Sequence, residues 1–245
     1  TADRTPVHPS TTTDPARASG GRLTRRELLG AAIVGGAGLA FGAAGTAHAS
    51  ATDGRHEFLL TVLGTSDLHG NVLNWNYFGN AEYDDKAHND IGLAKAATLI
   101  RAMRAERGAA SCLTLDAGDI IQGTPLDYYY AKIEPITGGA KHPMAVAMNA
   151  VGYDAIALGN HEYNYGLDTL RAFQRQLDAP FLSANSVDWR TGQPVFPAYT
   201  LKTLHVPGDK PVTVGILGLV TPGVAIWDKA NVEGKVRFPG IVEQG

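Results

Sequence analysis

T-S-D-L-H-G-N, Thr65 to Asn71, is the stretch whose reading decides the fold of this chain. It follows the apolar run Phe58-Leu59-Leu60-Thr61-Val62-Leu63. An unbroken run of apolar and β-branched residues predicts a buried strand of a parallel sheet. Asp67 and His69 then fall just past the strand's end. Open α/β sheets gather their ligands at the carboxyl ends of strands. An Asp-x-His there brings a carboxylate and an imidazole within reach of one metal ion, and both are standard ligands for zinc, manganese or iron. The same triplet also occurs as a hydrogen-bonded turn, so the later strand ends have to decide.

Beyond that stretch, strand and helix signals alternate. Ile91 to Arg107 carries Ile91, Leu93, Ala97, Leu99, Ile100 and Met103 at helical spacing, with Arg101, Arg104 and Arg107 on the wet side. Cys112 to Leu115 predicts a second strand, His142 to Val151 a short helix with Pro143 in its first turn, and Ala155 to Leu158 a third strand. Leu167 to Leu177 predicts a helix, and Phe181-Leu182 a short fourth strand. The run Val212 to Val220, V-T-V-G-I-L-G-L-V, predicts a long apolar strand that closes the sheet and is left as an unpaired edge. Strand, helix, strand in series implies an α/β fold: mostly parallel sheet layers covered by helices.

The second strand runs into L-D-A-G-D-I-I-Q-G-T-P and places Asp119 just past it. The third runs into G-N-H-E-Y-N-Y-G and places Asn160 and His161 just past it. Three successive strands therefore deliver oxygen or nitrogen ligands to one edge of the sheet, which turn chemistry alone explains poorly. Asp116 suits either a strand-end hydrogen bond or a supporting role behind the ligands. Glu162 points away from His161 by parity, which suggests that it orients the loop. His56, His88 and His142 are isolated, and loop or helix-cap roles are expected for them.

Composition bounds the rest. With 245 residues, 44% hydrophobic and 18% charged, the chain is long enough for one large domain or two small ones with a real core. A net charge of −3 gives no sign of a surface for a nucleic-acid polymer. The single cysteine, Cys112, excludes an internal disulfide and a cysteine-based zinc site, and its apolar surroundings suggest a small buried hydrophobe. Residues 1–49 are expected to lie outside the fold. They begin with a Thr/Pro/Arg/Ser-rich disordered stretch and continue as Arg25-Arg26, a weakly apolar Ala/Gly-rich segment and Ala47-His48-Ala49. That order resembles a twin-arginine signal for export of folded proteins, with no stable membrane anchor after its removal. Residues 55–245 would form the folded domain.

The series D-x-H, then G-D, then G-N-H-E, in this order on alternating strand ends, resembles the calcineurin-like metallophosphoesterases. The resemblance implies two divalent metal ions of the Zn, Mn, Co or Fe type. Asp67 and His69 would hold one ion, Asp119 would bridge both, and Asn160 would bind the second. His161 would stand near the phosphate and stabilise the leaving oxygen. Family members complete the site with later histidines, including a Gly-His-x-His, that this sequence lacks. The chain is therefore expected to be the front part of a longer protein with a C-terminal domain. Asn164 in N-H-E-Y-N-Y-G, together with Gln122 to Leu126 and Trp227 to Val236, is similar to the secreted 2′,3′-cyclic-nucleotide 2′-phosphodiesterase/3′-nucleotidase branch. The 5′-nucleotidase branch usually has aspartate at the position of Asn164. A nucleotide is the expected substrate. A non-catalytic exported binding protein and an exported oxidoreductase are the competing classes, the second without any axial-ligand or dinucleotide motif in support.

Overall fold

The computed structural model describes residues 58–205 and 210–245. The Arg25-Arg26 signal and His56 lie outside the described residues. In chain order the strands are β1 (Thr61–Thr65), β2 (Trp75–Asn76), β3 (Ala81–Glu82), β4 (Cys112–Asp116), β5 (Ala155–Ala157), β6 (Phe181–Leu182), β7 (Val187–Asp188), β8 (Tyr199–Leu204), β9 (Val212–Leu217) and β10 (Val236–Arg237). The helices longer than one turn are α1 (Leu93–Arg107), α2 (Pro143–Val151) and α3 (Leu167–Gln174).

The central sheet has four strands in the order β1-β4-β5-β6, every pair parallel. Thr61 stands opposite Cys112 and Thr65 opposite Asp116, so β1 and β4 end level with each other. The helices return the chain between these strands, as parallel pairing requires. α1 turns Leu93, Ala96, Ala97 and Ile100 inward, and α3 buries Leu170, Ala172 and Phe173. Leu93 and Ala96 of α1 and these α3 residues meet Met144 and Met148 of α2, Ile156 and Phe181 of the sheet and Leu158 just past β5 in one apolar cluster. Cys112 is buried in β4, in line with its reading as a small hydrophobe. The α/β reading therefore holds.

Two local expectations are corrected. β1 covers Thr61–Thr65 rather than Phe58–Leu63, and as the sheet's edge strand it leaves Val62 48% exposed. The apolar run marked the strand's presence, but hydrogen bonding to β4 decided its register. The run Val212 to Val220 is not the last strand of this sheet, and it is not unpaired. Its first six residues form β9, which pairs antiparallel with β8 from Tyr199↔Leu217 to Leu204↔Val212 in a separate two-stranded ribbon. Burial alternates along β9, so the run is half-solvated. At Gly218 the chain leaves the ribbon and passes β6, where the Ala184 N–H donates to the Gly218 carbonyl at 2.8 Å. Among the described residues no helix is long and apolar enough to cross a membrane.

Candidate metal centre

The ends of β1 and β4 continue to pair as they leave the sheet. The Asp67 N–H donates to the Gly118 carbonyl at 3.0 Å, His69 N–H to Asp119 O at 2.9 Å, and Gly70 N–H to Ile120 O at 2.8 Å. This extended ladder holds the two strand-end loops side by side. Asp67, His69 and Asp119 consequently converge, with one ligand atom of each within 4.8 Å of the others. Their backbones are unusual as well. Asp67, His69 and Asp119 have φ of 57°, 45° and 62°, the left-handed region that residues other than glycine rarely enter. Strain of this kind collects at functional sites, held there by the surrounding structure.

The donor set suits a divalent cation. His69 Nδ1 lies 2.5 Å from the Gln122 carbonyl, which can only accept, so Nδ1 carries the proton and Nε2 is free to ligate. His69 Nε2 faces Asp67 Oδ1 at 3.7 Å. None of the ion pairs among the described residues brings a lysine or arginine to Asp67 or Asp119. Two carboxylates and an imidazole lone pair therefore meet without a protein cation between them.

The third strand end closes on the same point. β5 runs through Gly159 and Asn160 into a 3-10 turn at His161–Tyr163. The His161 N–H donates to Asp119 Oδ1 at 2.8 Å, and the His161 ring meets the His69 ring edge-on at 5.2 Å between centroids. Asn160 is half-buried at the head of this turn, between two residues that both touch Asp119. Gly159 is required there, because a Cβ would overlap the Asp119 carboxylate. Across the site, a Cβ on Gly123 would stand 2.7 Å from His69 Cβ. All five residues singled out from the sequence thus occupy one corner of the fold.

Glu162 is fully buried, with its carboxylate against the backbone of the two loops. Its Oε2 accepts the N–H groups of Asp119 at 2.8 Å and Gly159 at 2.6 Å, and its Oε1 accepts that of Ile120 at 2.6 Å. The side chain ties the β4 loop to the β5 loop. Burial raises its carboxyl above the ordinary range, partly offset by those N–H donors. Asp116 plays a similar part at the carboxyl end of β4. It accepts from the Thr65 hydroxyl at 2.5 Å and from the Gly118 N–H at 2.8 Å, and burial pushes its carboxyl up to about 7.

Two supporting residues were missed in the sequence. Asp127 is fully buried against Gly70, the residue after His69, and accepts from the Thr124 N–H at 3.3 Å. Thr124-Pro125-Leu126-Asp127 spells a helix-capping box, a signal that could have found it. Its Oδ1 has no hydrogen-bond partner among the described residues and faces His142 Nε2 at 3.8 Å. His142 caps α2 by accepting the Met144 N–H at 3.2 Å, as its isolated position suggested. Burial lifts the Asp127 carboxyl to about 7 and lowers the His142 imidazole to about 4, so between those values both are neutral. The other missed residue is Asp228, which is 6% exposed. Its two carboxylate oxygens accept from Asn164 Nδ2, each at 2.9 Å, while Asn164 Oδ1 lies 2.7 Å from His161 Nδ1. Asp228 lies in the stretch Trp227 to Val236 already singled out in the sequence, but nothing local in that stretch pairs it with Asn164.

A cavity of about 440 Å³ opens beside His69, walled by Trp75, Tyr77, Phe78 and Tyr83 on one side and by Gln122 and Thr124 on the other. A second hollow of about 400 Å³, at Arg171, Asp188 and Lys235, touches none of the candidate ligands.

Residues 60–236 match the calcineurin-like phosphoesterase family. The chain is 40% identical over 191 residues to the trifunctional nucleotide phosphoesterase protein YfkN of Bacillus subtilis, covering 75% of this chain and 12% of that protein. It is 38% identical over 203 residues to a 2′,3′-cyclic-nucleotide 2′-phosphodiesterase/3′-nucleotidase of Yersinia enterocolitica, covering 81% of this chain and 29% of the relative. The crystal structure of the calcineurin-like phosphoesterase YfkN from Bacillus subtilis superposes with a TM-score of 0.68 at 40% identity, over 76% of this chain and 55% of that one. The chain thus spans less than a third of the length of the two curated relatives.

Proposed function

Because the chain belongs to the calcineurin-like phosphoesterase family, we propose that it hydrolyses phosphate esters of nucleotides, with 2′,3′-cyclic nucleotides and 3′-nucleotides as its substrates. The observation that carries the reading is the convergence of Asp67, His69 and Asp119, all three in left-handed backbone, with His161 packed against them. The substrate class rests on the relatives' activities and on Asn164 standing beside His161.

In this reading Asp67 and His69 would hold one divalent ion, Asp119 would be shared with a second, and Asn160 would add a ligand to the second. Two such ions, of zinc, manganese, cobalt or iron, supply charge to clamp an anionic ester and to acidify an attacking water. The chain's own residues do the rest. Asp119 offsets the repulsion between two cations, and the His161 N–H at 2.8 Å keeps one of its oxygens in place. A neutral Asn160 adds a ligand without adding negative charge. His161 is the group for the leaving oxygen, as proton donor or charge partner. The aromatic-walled cavity beside His69 has the size and lining of a small-molecule site and would take the organic part of the ester. Export through the Arg25-Arg26 signal belongs to the same proposal, since the sequence resembles a secreted branch.

Phosphate release by the full-length protein, supplied with manganese or cobalt, tests the reading. The 2′,3′-cyclic and 3′ forms of AMP should turn over faster than the 5′ form. Preference for 5′-AMP would place the protein with the 5′-nucleotidases, and no release from any of the three would refute nucleotide hydrolysis. Asp119→Ala should abolish turnover while the protein stays folded. Activity within about tenfold of the unsubstituted enzyme, a barrier change of about 1.4 kcal/mol, would contradict the bridging role.

A further inference from the structure

The His161 side chain is the start of a chain of polar contacts that leads away from the candidate metal ligands. His161 Nδ1 meets Asn164 Oδ1 at 2.7 Å, and Asn164 Nδ2 meets both oxygens of Asp228 at 2.9 Å. Asp228 lies 64 residues from Asn164 in the sequence, is almost fully buried, and forms no ion pair with a lysine or arginine among the described residues. Among the described residues, the only side chains that donate to it are two amides, Asn164 and, at 3.3 Å, Asn231. A buried carboxylate left without a cation is costly unless its hydrogen bonds serve a purpose.

We infer that Asp228 is a positioning residue, acting through the Asn164 amide to fix the tautomer and ring orientation of His161; the inference rests on the reading above that His161 meets the substrate. The reasoning is an inventory of donors and acceptors. A carboxylate only accepts, so Asp228 compels the amide to turn its Nδ2 toward it. That places Oδ1, the amide's acceptor, against the imidazole. His161 Nδ1 must then carry a proton to donate. In the neutral ring Nε2 is left as the unprotonated nitrogen, on the side away from Asn164; it is therefore the nitrogen that takes up the proton later given to the leaving oxygen, while Asn164 Oδ1 accepts the Nδ1–H in both states. With the opposite amide orientation, Oδ1 would stand 2.9 Å from two carboxylate oxygens, acceptor against acceptor. Serine hydrolases orient a catalytic imidazole by the same logic, with a carboxylate in direct contact. Here an amide is interposed and the carboxylate sits one residue further back.

A purely structural alternative exists, because Asn231 Nδ2 also donates to the carbonyls of Tyr163 at 3.0 Å and Asn164 at 3.1 Å. That clasp holds the backbone of the His161 turn whatever the tautomer. Exchanging the amide and the carboxylate separates the two roles. In Asn164→Asp/Asp228→Asn the carboxylate accepts from His161 Nδ1 and the new amide donates to the carboxylate through its Nδ2, so each link keeps a donor facing an acceptor, although one of the two amide–carboxylate bonds of the unsubstituted protein is given up. Either single change destroys the order. Asp228→Asn frees the Asn164 amide to flip, and Asn164→Asp sets two carboxylates against each other.

The experiment uses the full-length protein with ¹⁵N-labelled histidine, together with steady-state kinetics. In the unsubstituted protein the His161 resonances should report a proton on Nδ1. Asp228→Asn should mix the tautomers and lower kcat by about 10–100-fold, with KM moving far less. The double variant should restore both the Nδ1-protonated ring and kcat, to within about fivefold, because the two changes are coupled rather than additive. An unchanged tautomer in Asp228→Asn, or a double variant as impaired as the product of the singles, would overturn the inference and leave Asp228 as a clasp. Should Asp228→Asn fail to fold, the tautomer and rate of the double variant decide alone, recovery supporting the inference and its absence overturning it. The tautomer measurement needs no substrate, so a protein that hydrolyses no nucleotide would refute the proposed function while this inference was still decided on its own.

Discussion

Replacing Glu162 by alanine would remove the acceptor of three backbone N–H groups at once: Asp119, Ile120 and Gly159, now bonded at 2.8, 2.6 and 2.6 Å. The side chain is fully buried, so its loss leaves those donors facing a cavity. An unsatisfied buried donor costs about 1–3 kcal/mol, and three of them cost about 3–9 kcal/mol, against a total stability of about 5–15 kcal/mol. For a domain of this size each kcal/mol moves Tm by about 2–4 °C, so a fall of at least about 6 °C is expected. Glu162→Gln keeps the volume and one oxygen, but turns an NH₂ toward an N–H. It should lose about 1–3 kcal/mol. Because the same bonds tie the Asp119 loop to the Asn160 loop, both variants should also bind manganese more weakly than the unsubstituted protein, by about 10–100-fold for alanine. Thermal unfolding in metal-free buffer and calorimetric titration with manganese measure the two effects. A Tm within about 2 °C of the unsubstituted protein, with an unchanged titration, would show that other contacts hold the loops and that the hydrogen-bond reasoning is wrong.

Asp116 predicts a pH dependence. Its folded-state carboxyl is raised from 3.8 to about 7 by burial, so the folded state holds the proton more tightly than the unfolded chain, and the stability this confers is present below about pH 4 and lost as pH rises toward 7. Asp116→Asn should flatten the stability profile of the metal-free protein across that window by on the order of 4 kcal/mol, and unfolding free energies from urea titrations that change with pH equally in both proteins would count against it. Gly159→Ala introduces a Cβ that overlaps the Asp119 carboxylate. It should cost about 1–3 kcal/mol and displace the Asn160 loop, seen as weakened manganese binding; an alanine variant that binds like the unsubstituted protein would show that the loops have slack.

The alternation of strand and helix, and the placing of chemistry at strand ends, could be read from the sequence because both are local signals. Cys112–Asp116 and Phe181–Leu182 form strands where their apolar residues indicated, and a strand end is wherever such a run meets polar or glycine residues. Asp67, His69, Asp119, Asn160 and His161 were therefore visible as candidates, and parallel pairing of adjacent strands brings such ends to one edge. What the sequence could not determine depends on contacts between distant segments. The register of β1 follows its ladder with β4, and β9 pairs with β8 instead of joining the sheet, although its composition suits either place. The left-handed backbone at the three converging residues arises where two loops are bonded to each other; Asp and His enter that region more readily than most residues, but their types alone do not place it here. Asp228 reaches Asn164 across 64 residues and Glu162 reaches Ile120 across 42. A buried carboxylate is placed by the donors that folding brings around it, so its partner, and with it the orientation of His161, is decided only by the tertiary structure.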